Sequence, residues 1–259
     1  RFEDWKNDSN SKASVSATYP HQVLNMINED EQLAEKLWDN LPDLITTDEV
    51  ILPMIDVSGS MFGQPLEVAI SLGMYLAQRN KSEFKDKFLT FSDNPQIVTI
   101  QGLTLAEKFR NIGTADWGMN TDFGKAYTKL LQLAKSHNVD PKSMPTMLLV
   151  LSDMQFDDSQ NSGGQWKTHY SWMEEEYKEA GYKLPKIVFW DLNAYSGQQA
   201  RCSDDNVAMV SGFSPSIMKA VLNAEEFNPI DVMMEALESI KLDYTNLEHR
   251  LKINYNVEY

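Results

Sequence analysis

Apolar positions along this chain change their spacing near residue 48. Ahead of that point Leu33, Leu37, Trp38, Leu41, Leu44 and Ile45 recur at helical intervals, which predicts a helix over residues 21–45. Pro42 should end or kink it. Residues 1–20 are mostly polar and read as an extended lead-in closing at Tyr19-Pro20. From residue 48 onward short apolar runs alternate with longer amphipathic stretches. "EVILPMIDVS" is a run of the kind that forms a buried parallel strand. "SGSMFG" then reads as a loop, and Pro65 sits where a helix opens. Leu66, Ala69, Ile70, Gly73, Leu76 and Ala77 form that helix's apolar stripe.

The alternation continues to the C-terminal part. "KFLTFS" and "PQIVTI" predict two strands around a turn at Ser92-Asp93-Asn94. A short helix over 103–112 and the loop "GTADWGMNT" follow. Phe123, Ala126, Tyr127, Leu130, Leu131 and Ala134 mark one face of a helix over 123–138. "TMLLVLSD" is a second central strand, and "YSWMEEEYKEAGY" a helix. "KIVFWDLN" and "NVAMVSG" are two more strands. Ser214-Pro215 pairs a capping residue with proline at the first helical position, opening a helix to about Ala224. A last helix follows Pro229, with Ile230, Met233, Leu237 and Ile240 on one side, and the tail 241–259 gives no clear pattern. Strands separated by helices imply βαβ units with right-handed crossovers. The expected fold is α/β: a doubly wound, mostly parallel sheet with helices on both faces. A short N-terminal helical extension, 1–45, precedes a domain over 46–259.

Composition narrows the classes of function. The 259 residues are 42% hydrophobic, enough for a sizeable core. The net charge is −15, from 38 acidic and 23 basic residues, so nucleic acid and anionic membranes are repelled on average. Direct nucleic-acid binding by this stretch is therefore not expected. No apolar run approaches the roughly 18 residues of a membrane span, and no basic segment followed by an apolar stretch opens residues 1–20, so no signal peptide is expected within this stretch. The single cysteine, Cys202, fits a reducing, cytoplasmic setting. Because the chain begins at Arg1 rather than Met, a preceding segment is expected.

The candidate chemistry lies at strand ends. The first buried strand closes in Asp56-Val57-Ser58-Gly59-Ser60, the loop before the 123–138 helix holds Thr121, and the second central strand closes at Asp153. Doubly wound sheets gather their ligand sites at the carboxyl ends of strands, so these three loops can meet. Two carboxylates and three hydroxyls would then face one volume. All are hard oxygen donors without His or Cys, a set that suits magnesium or manganese and not zinc. Hydroxyls are weak neutral ligands, so the ion would stay electrophilic and accept a carboxylate from a partner. Around it, Met61, Trp117, Asp122, Asp157 and Asp191 are candidates for a partner-binding rim. For Asp122 a place in the helix's first turn, and for Asp191 and Asn193 a strand-end cap, are the alternatives. His21, His137, His169 and His249 lack metal-ligand spacing.

"IDVSGSM", "NTDF" and "VLSDMQFD" resemble the three loops of the metal-ion-dependent adhesion site of von Willebrand factor A-type domains, over roughly residues 48–225. The resemblance implies that Ser58, Ser60 and Thr121 touch the ion and that Asp56 and Asp153 act directly or through water. It also implies a non-enzymatic module that binds a protein ligand through Mg2+. "YPHQVL", "DWGMNTDF", "LSDMQFDD", "PKIVFWDLN" and "VAMVSGFSPSIMKAVL" are similar to the C-terminal part of a family of unestablished function related to Ro/TROVE-type RNA-binding proteins. In that family a longer, mostly helical region comes first. Two departures stand out: "DWGMN" precedes Thr121 where many such domains carry paired glycines, and the Asp157-Asp158 pair adds charge beside the third loop.

Partners that such resemblances suggest are a ring-forming ATPase or a ribonucleoprotein. A structural assembly subunit is another reading. A Mg2+-dependent phosphoryl-transfer enzyme is the least favoured. Its aspartyl nucleophile would be followed two residues on by a second Asp, where this chain has Ser58. No phosphate-gripping G-x-x-x-x-G-K-[ST] loop is present.

Overall fold

Five apolar residues, Ile51–Ile55, form strand β1, every one of them buried. The structure, a computed structural model, describes residues 18–45, 49–92, 94–113, 123–153, 163–192 and 207–212. Within these, helix α1 (Pro20–Asn25) and helix α2 (Glu31–Asp39) precede β1. After it come helix α3 (Gln64–Arg79), strands β2 (Lys87–Thr90) and β3 (Ile97–Thr99), and helix α4 (Leu105–Ile112). Helix α5 (Phe123–His137), strand β4 (Met147–Ser152), helix α6 (Gly163–Glu179) and strands β5 (Lys186–Asp191) and β6 (Val207–Ser211) complete the order.

The sheet runs β3-β2-β1-β4-β5-β6. All its pairings are parallel except β2 with β3, which is antiparallel. This is the expected mostly parallel α/β sheet. Chain order reverses at β1, whose neighbours are β2 on one side and β4 on the other. Such a reversal opens a crevice at the carboxyl ends of the two strands.

Pro53 sits inside β1, although a central strand rarely tolerates a residue without an N–H. The register explains it. Asp56 N donates to Leu151 O on β4, while Ile55 O accepts from Phe91 N beyond β2. Residues 55 and 53 share a parity, so the Pro53 nitrogen faces β2. There the ladder holds only Met54 with Leu89 and Ile55 with Thr90, and Pro53 breaks no bond.

Period-two alternation sorts the side chains of β1 and β4 to two faces. Leu52, Met54, Leu148 and Val150 join a core with Ala126, Tyr127, Leu130, Leu131 and Ala134 of α5 and with Met173 and Tyr177 of α6. Ile55 and Leu151 face the other way, against α3, where a Cβ built on Gly73 would stand 2.3 Å from Ile55 Cδ1 and 3.7 Å from Leu151 Cδ1. Helices therefore cover both faces. Two buried phenols brace the α5–α6 layer. Tyr177 Oη donates to Tyr127 O at 2.8 Å, Tyr127 Oη donates to Pro185 O at 3.2 Å, and the two rings meet edge to face.

The stretch predicted as one helix over 21–45 is two helices. The polar run Asn28-Glu29-Asp30 interrupts it, and the Asp30 carboxylate accepts from Leu33 N to cap α2. The helix ends at Asp39, ahead of Pro42. Both helices are tied to the domain. Asn25 Nδ2 donates to Glu67 Oε2 of α3 at 3.0 Å, and Trp38 Nε1 to Gln78 Oε1 at 2.7 Å. Arg79 stacks on the Tyr75 ring, 3.9 Å from its centroid, and donates to Trp38 O and Leu41 O. On the other side Leu105 N donates to Glu35 Oε2, which links α2 to the start of α4.

Residues 18–43 and the described residues from 49 to 212 belong to one compact unit. A second unit joins residues 44–47 to 213–259 and, apart from Leu44 and Ile45, lies outside the described residues, as do the helices predicted after Ser214 and Pro229. Among the described residues no helix is long and apolar enough to cross a membrane.

Candidate functional site

Asp56 is the first residue beyond β1, and Asp153 the first beyond β4. Since Ile55 pairs with Leu151, the next residues along, Asp56 and Ser152, come side by side at the reversal point of the sheet. Ser152 Oγ donates to Asp56 Oδ2 at 2.6 Å, and the bond is buried. The other oxygen, Oδ1, accepts from Ser58 N at 2.8 Å, which turns the chain sharply after Asp56. Both carboxylate oxygens are thus aimed by protein donors.

The turn continues as a short 3-10 helix, Gly59–Met61. Ser58 Oγ and Ser60 Oγ lie 3.1 Å apart, close enough for one to donate to the other. The hydroxyls are therefore neighbours, on a half-buried and an exposed residue that follow the buried Asp56.

Asp56 is 2% exposed and Asp153 1% exposed. Burial pushes the Asp56 carboxyl above its usual range. The hydrogen bonds from Ser152 and Ser58 work against that shift, and the nearby Asp153 charge adds to it. Two carboxylates close enough to repel each other favour a cation between or beside them. Asp153 Oδ2 is buried and accepts no hydrogen bond among the described residues, although the residue is engaged elsewhere.

Four of the five predicted ion ligands, Asp56, Ser58, Ser60 and Asp153, thus sit on the ends of two adjacent strands and the turn between β1 and α3. The fifth, Thr121, lies outside the described residues, together with Trp117, Asp122 and Asp157 of the predicted rim. Among the described residues no group of three or more His, Cys, Asp or Glu could hold a metal. Any ion here would depend on hydroxyl oxygens as well as the two carboxylates. That donor set fits a hard divalent cation that keeps part of its water shell.

The rim needs correction at Met61. Met61 is fully buried, not at the surface. Its N–H donates to Ser58 O at 3.0 Å, closing the 3-10 turn with the side chain inside. It is Phe62, the next residue, that projects, at 89% exposure. Asp191 is buried to the same degree as Asp56. It ends β5 opposite Ser211 and accepts from Ser211 Oγ at 3.2 Å.

Register reveals a row that no linear motif displays. Asp56, Ser152, Asp191 and Ser211 follow one another across β1, β4, β5 and β6. Carboxylate and hydroxyl alternate, and each serine donates to an aspartate on a neighbouring strand. Ser152, missed by the sequence reading, could have been noticed only as a serine directly before Asp153.

A family model described as "Domain of unknown function (DUF7788)" matches residues 51–253. This chain belongs to the DUF7788 family. The match begins with β1 and includes every residue of the strand-end cluster. The DUF7788 chain is also 31% identical over 241 residues to the uncharacterized protein L728 of Acanthamoeba polyphaga mimivirus. That alignment covers 90% of this chain and 42% of the viral protein, so the chain spans less than half its relative's length. Among solved structures, the Deinococcus radiodurans Ro (RSR) protein is similar, with a TM-score of 0.51 at 16% identity. The similarity covers 76% of this chain and 38% of that one, and shows that the fold is shared.

Proposed function

We propose that this DUF7788 domain is a divalent-cation-dependent protein-binding module of the von Willebrand factor A type. The observation that supports the reading is that Asp56, Ser58, Ser60 and Asp153 lie at and just beyond the carboxyl ends of β1 and β4, where the strand order reverses. These residues, with Thr121, would hold Mg2+ or Mn2+. When bound, the ion supplies a positive, electrophilic anchor for an Asp or Glu side chain of a partner protein. The chain's own part is to hold the donors ready. Ser152 and the Ser58 N–H orient Asp56, and the 3-10 turn presents both serine hydroxyls.

The test is a titration of the chain with MgCl2 and MnCl2 by calorimetry, beside a co-precipitation with and without chelator. The wild type is expected to bind one ion, and Asp153→Ala to lose it with its circular dichroism unchanged. Absence of binding to the wild type, or undiminished binding to Asp153→Ala, rejects the reading.

The fold likeness to the Ro (RSR) protein supports a second reading, in which the domain is one part of a Ro-like ribonucleoprotein or structural assembly. The acidic balance of this chain argues that its own surface contributes little to RNA contact. Filter binding of RNA by this chain and by the longer viral relative, of which it covers 42%, separates the two.

A further inference from the structure

Resting on the cation-site reading above, we infer that Phe62 is its specificity element, selecting partners in which the ion-binding carboxylate has an apolar neighbour. Phe62 is two residues beyond Ser60 and is 89% exposed, while the preceding Met61 is fully buried. Single exposed apolar side chains are common on proteins, so exposure alone decides nothing. What distinguishes Phe62 is that its position is built.

Met61 anchors the turn from beneath: its N–H is held by Ser58 O and its side chain fills the core. On the other side Gly63 takes φ +91° and ψ −139°, a conformation that side-chain-bearing residues rarely adopt. Gly63 O then accepts from Glu67 N to start α3. Phe62 is therefore fixed between a buried anchor and a glycine hinge.

The backbone of the turn on either side of Phe62 is uncrowded among the described residues. A Cβ built on Gly59 or on Gly63 would meet nothing within 4 Å. A partner segment laid over the turn would find the serine hydroxyls at one point and the Phe62 ring two residues further on. The first suits a carboxylate held through the ion, the second an aliphatic or aromatic side chain. The occupant is thus a short acidic-apolar segment of another protein. Its carboxylate alone would be repelled by Asp56 and Asp153, so the apolar contact supplies selectivity only once the ion is present.

The test uses end-blocked tetrapeptides containing Glu-Leu, Leu-Glu or Glu-Ser. Their affinities for the wild type and for Phe62→Ser are measured by NMR titration in Mg2+ and in chelator. In Mg2+ the wild type should bind one of the leucine peptides about five- to tenfold more tightly than the serine peptide, as expected for partial burial of one aliphatic side chain. Phe62→Ser should bind Mg2+ as the wild type does, bind the serine peptide equally, and lose the leucine preference. Equal affinity of the wild type for all three peptides overturns the role of Phe62 and leaves the cation site standing. Loss of Mg2+ binding in Phe62→Ser would show a role in building the turn instead, and also overturns it. Failure of every peptide to bind in Mg2+ rejects the carboxylate-binding reading itself, and this inference with it.

Discussion

Ser152 Oγ donates a 2.6 Å hydrogen bond to Asp56 Oδ2, so the hydroxyl that closes β4 orients the carboxylate that follows β1. The pair joins the two strands at the place where the sheet changes direction, and it keeps Asp56 in position although burial disfavours its charge.

That burial makes a prediction about the metal-free protein. The folded pKa of Asp56 is raised above the ordinary 3.8, so its contribution to stability is full below that pH. The contribution is lost as pH rises through the folded value. Asp56→Asn removes the charge and keeps an oxygen for the Ser58 N–H. In chelator at neutral pH the variant should be more stable than wild type, and the difference should shrink as pH falls toward 3.8. Added Mg2+ should raise the wild-type midpoint and leave the variant's unchanged. Urea denaturation across pH, with and without Mg2+, measures both effects; a variant less stable than wild type in chelator would contradict the first.

Gly73→Ala should cost stability because its Cβ would stand 2.3 Å from Ile55 Cδ1 and 2.6 Å from Ile55 Cγ1. Both residues are buried, so the Ile55 side chain must shift within the packed layer to make room. A loss of about 1–3 kcal/mol is expected, typical of overpacking. Ile55→Val removes the Cδ1 atom and should recover part of it, so the double mutant is less destabilised than the sum of the singles. Denaturant midpoints of the four proteins decide the matter.

Arg79→Lys tests how the N-terminal helices are held. The guanidinium stacks on Tyr75 and donates to Trp38 O and Leu41 O, and a lysine ammonium lacks both the plane and the fork. A loss of about 1–3 kcal/mol is expected, from the stack and from the guanidinium's donations to Trp38 O and Leu41 O. Amide exchange should quicken selectively in α2. Unchanged protection there would mean that Trp38–Gln78 and Leu105–Glu35 carry the docking.

His21 is buried at the start of α1, and desolvation lowers its pKa below 6.5, with Glu67 partly opposing. The unfolded chain then takes up a proton first as pH falls. The stability that neutral His21 supports is present above 6.5 and declines below it until the folded pKa is reached. Comparing thermal midpoints of wild type and His21→Gln from about pH 5 to pH 7 isolates this titration. The wild type should lose more on acidification, and parallel curves would refute the assignment.

The strands were the most readable part of the chain. Runs such as Met147–Ser152 and Lys186–Asp191 are apolar because they are covered on both faces, and such runs stand out without any partner in view. The 123–138 helix was equally plain, because a single apolar stripe at helical spacing faces the sheet. The helix over 21–45 was misread, since Leu33, Leu37 and Trp38 keep the period while Asp30 restarts the chain with a cap. Met61 was misplaced because a methionine between serine and phenylalanine carries no sign of which of the two apolar side chains turns inward.

Local side-chain chemistry by itself determined the alternation of strands and helices, the strand-end positions of Asp56 and Asp153, and the oxygen-only character of the candidate site. These depend on residues near one another in sequence. Only the tertiary structure decided that β1 lies between β2 and β4, and that Asp56 stands beside Ser152, which is 96 positions away. Only it decided, too, that Met61 is inside and Phe62 outside. The reason is that strand order and register arise from long-range packing of many interchangeable apolar side chains, and no short motif encodes which of them will meet.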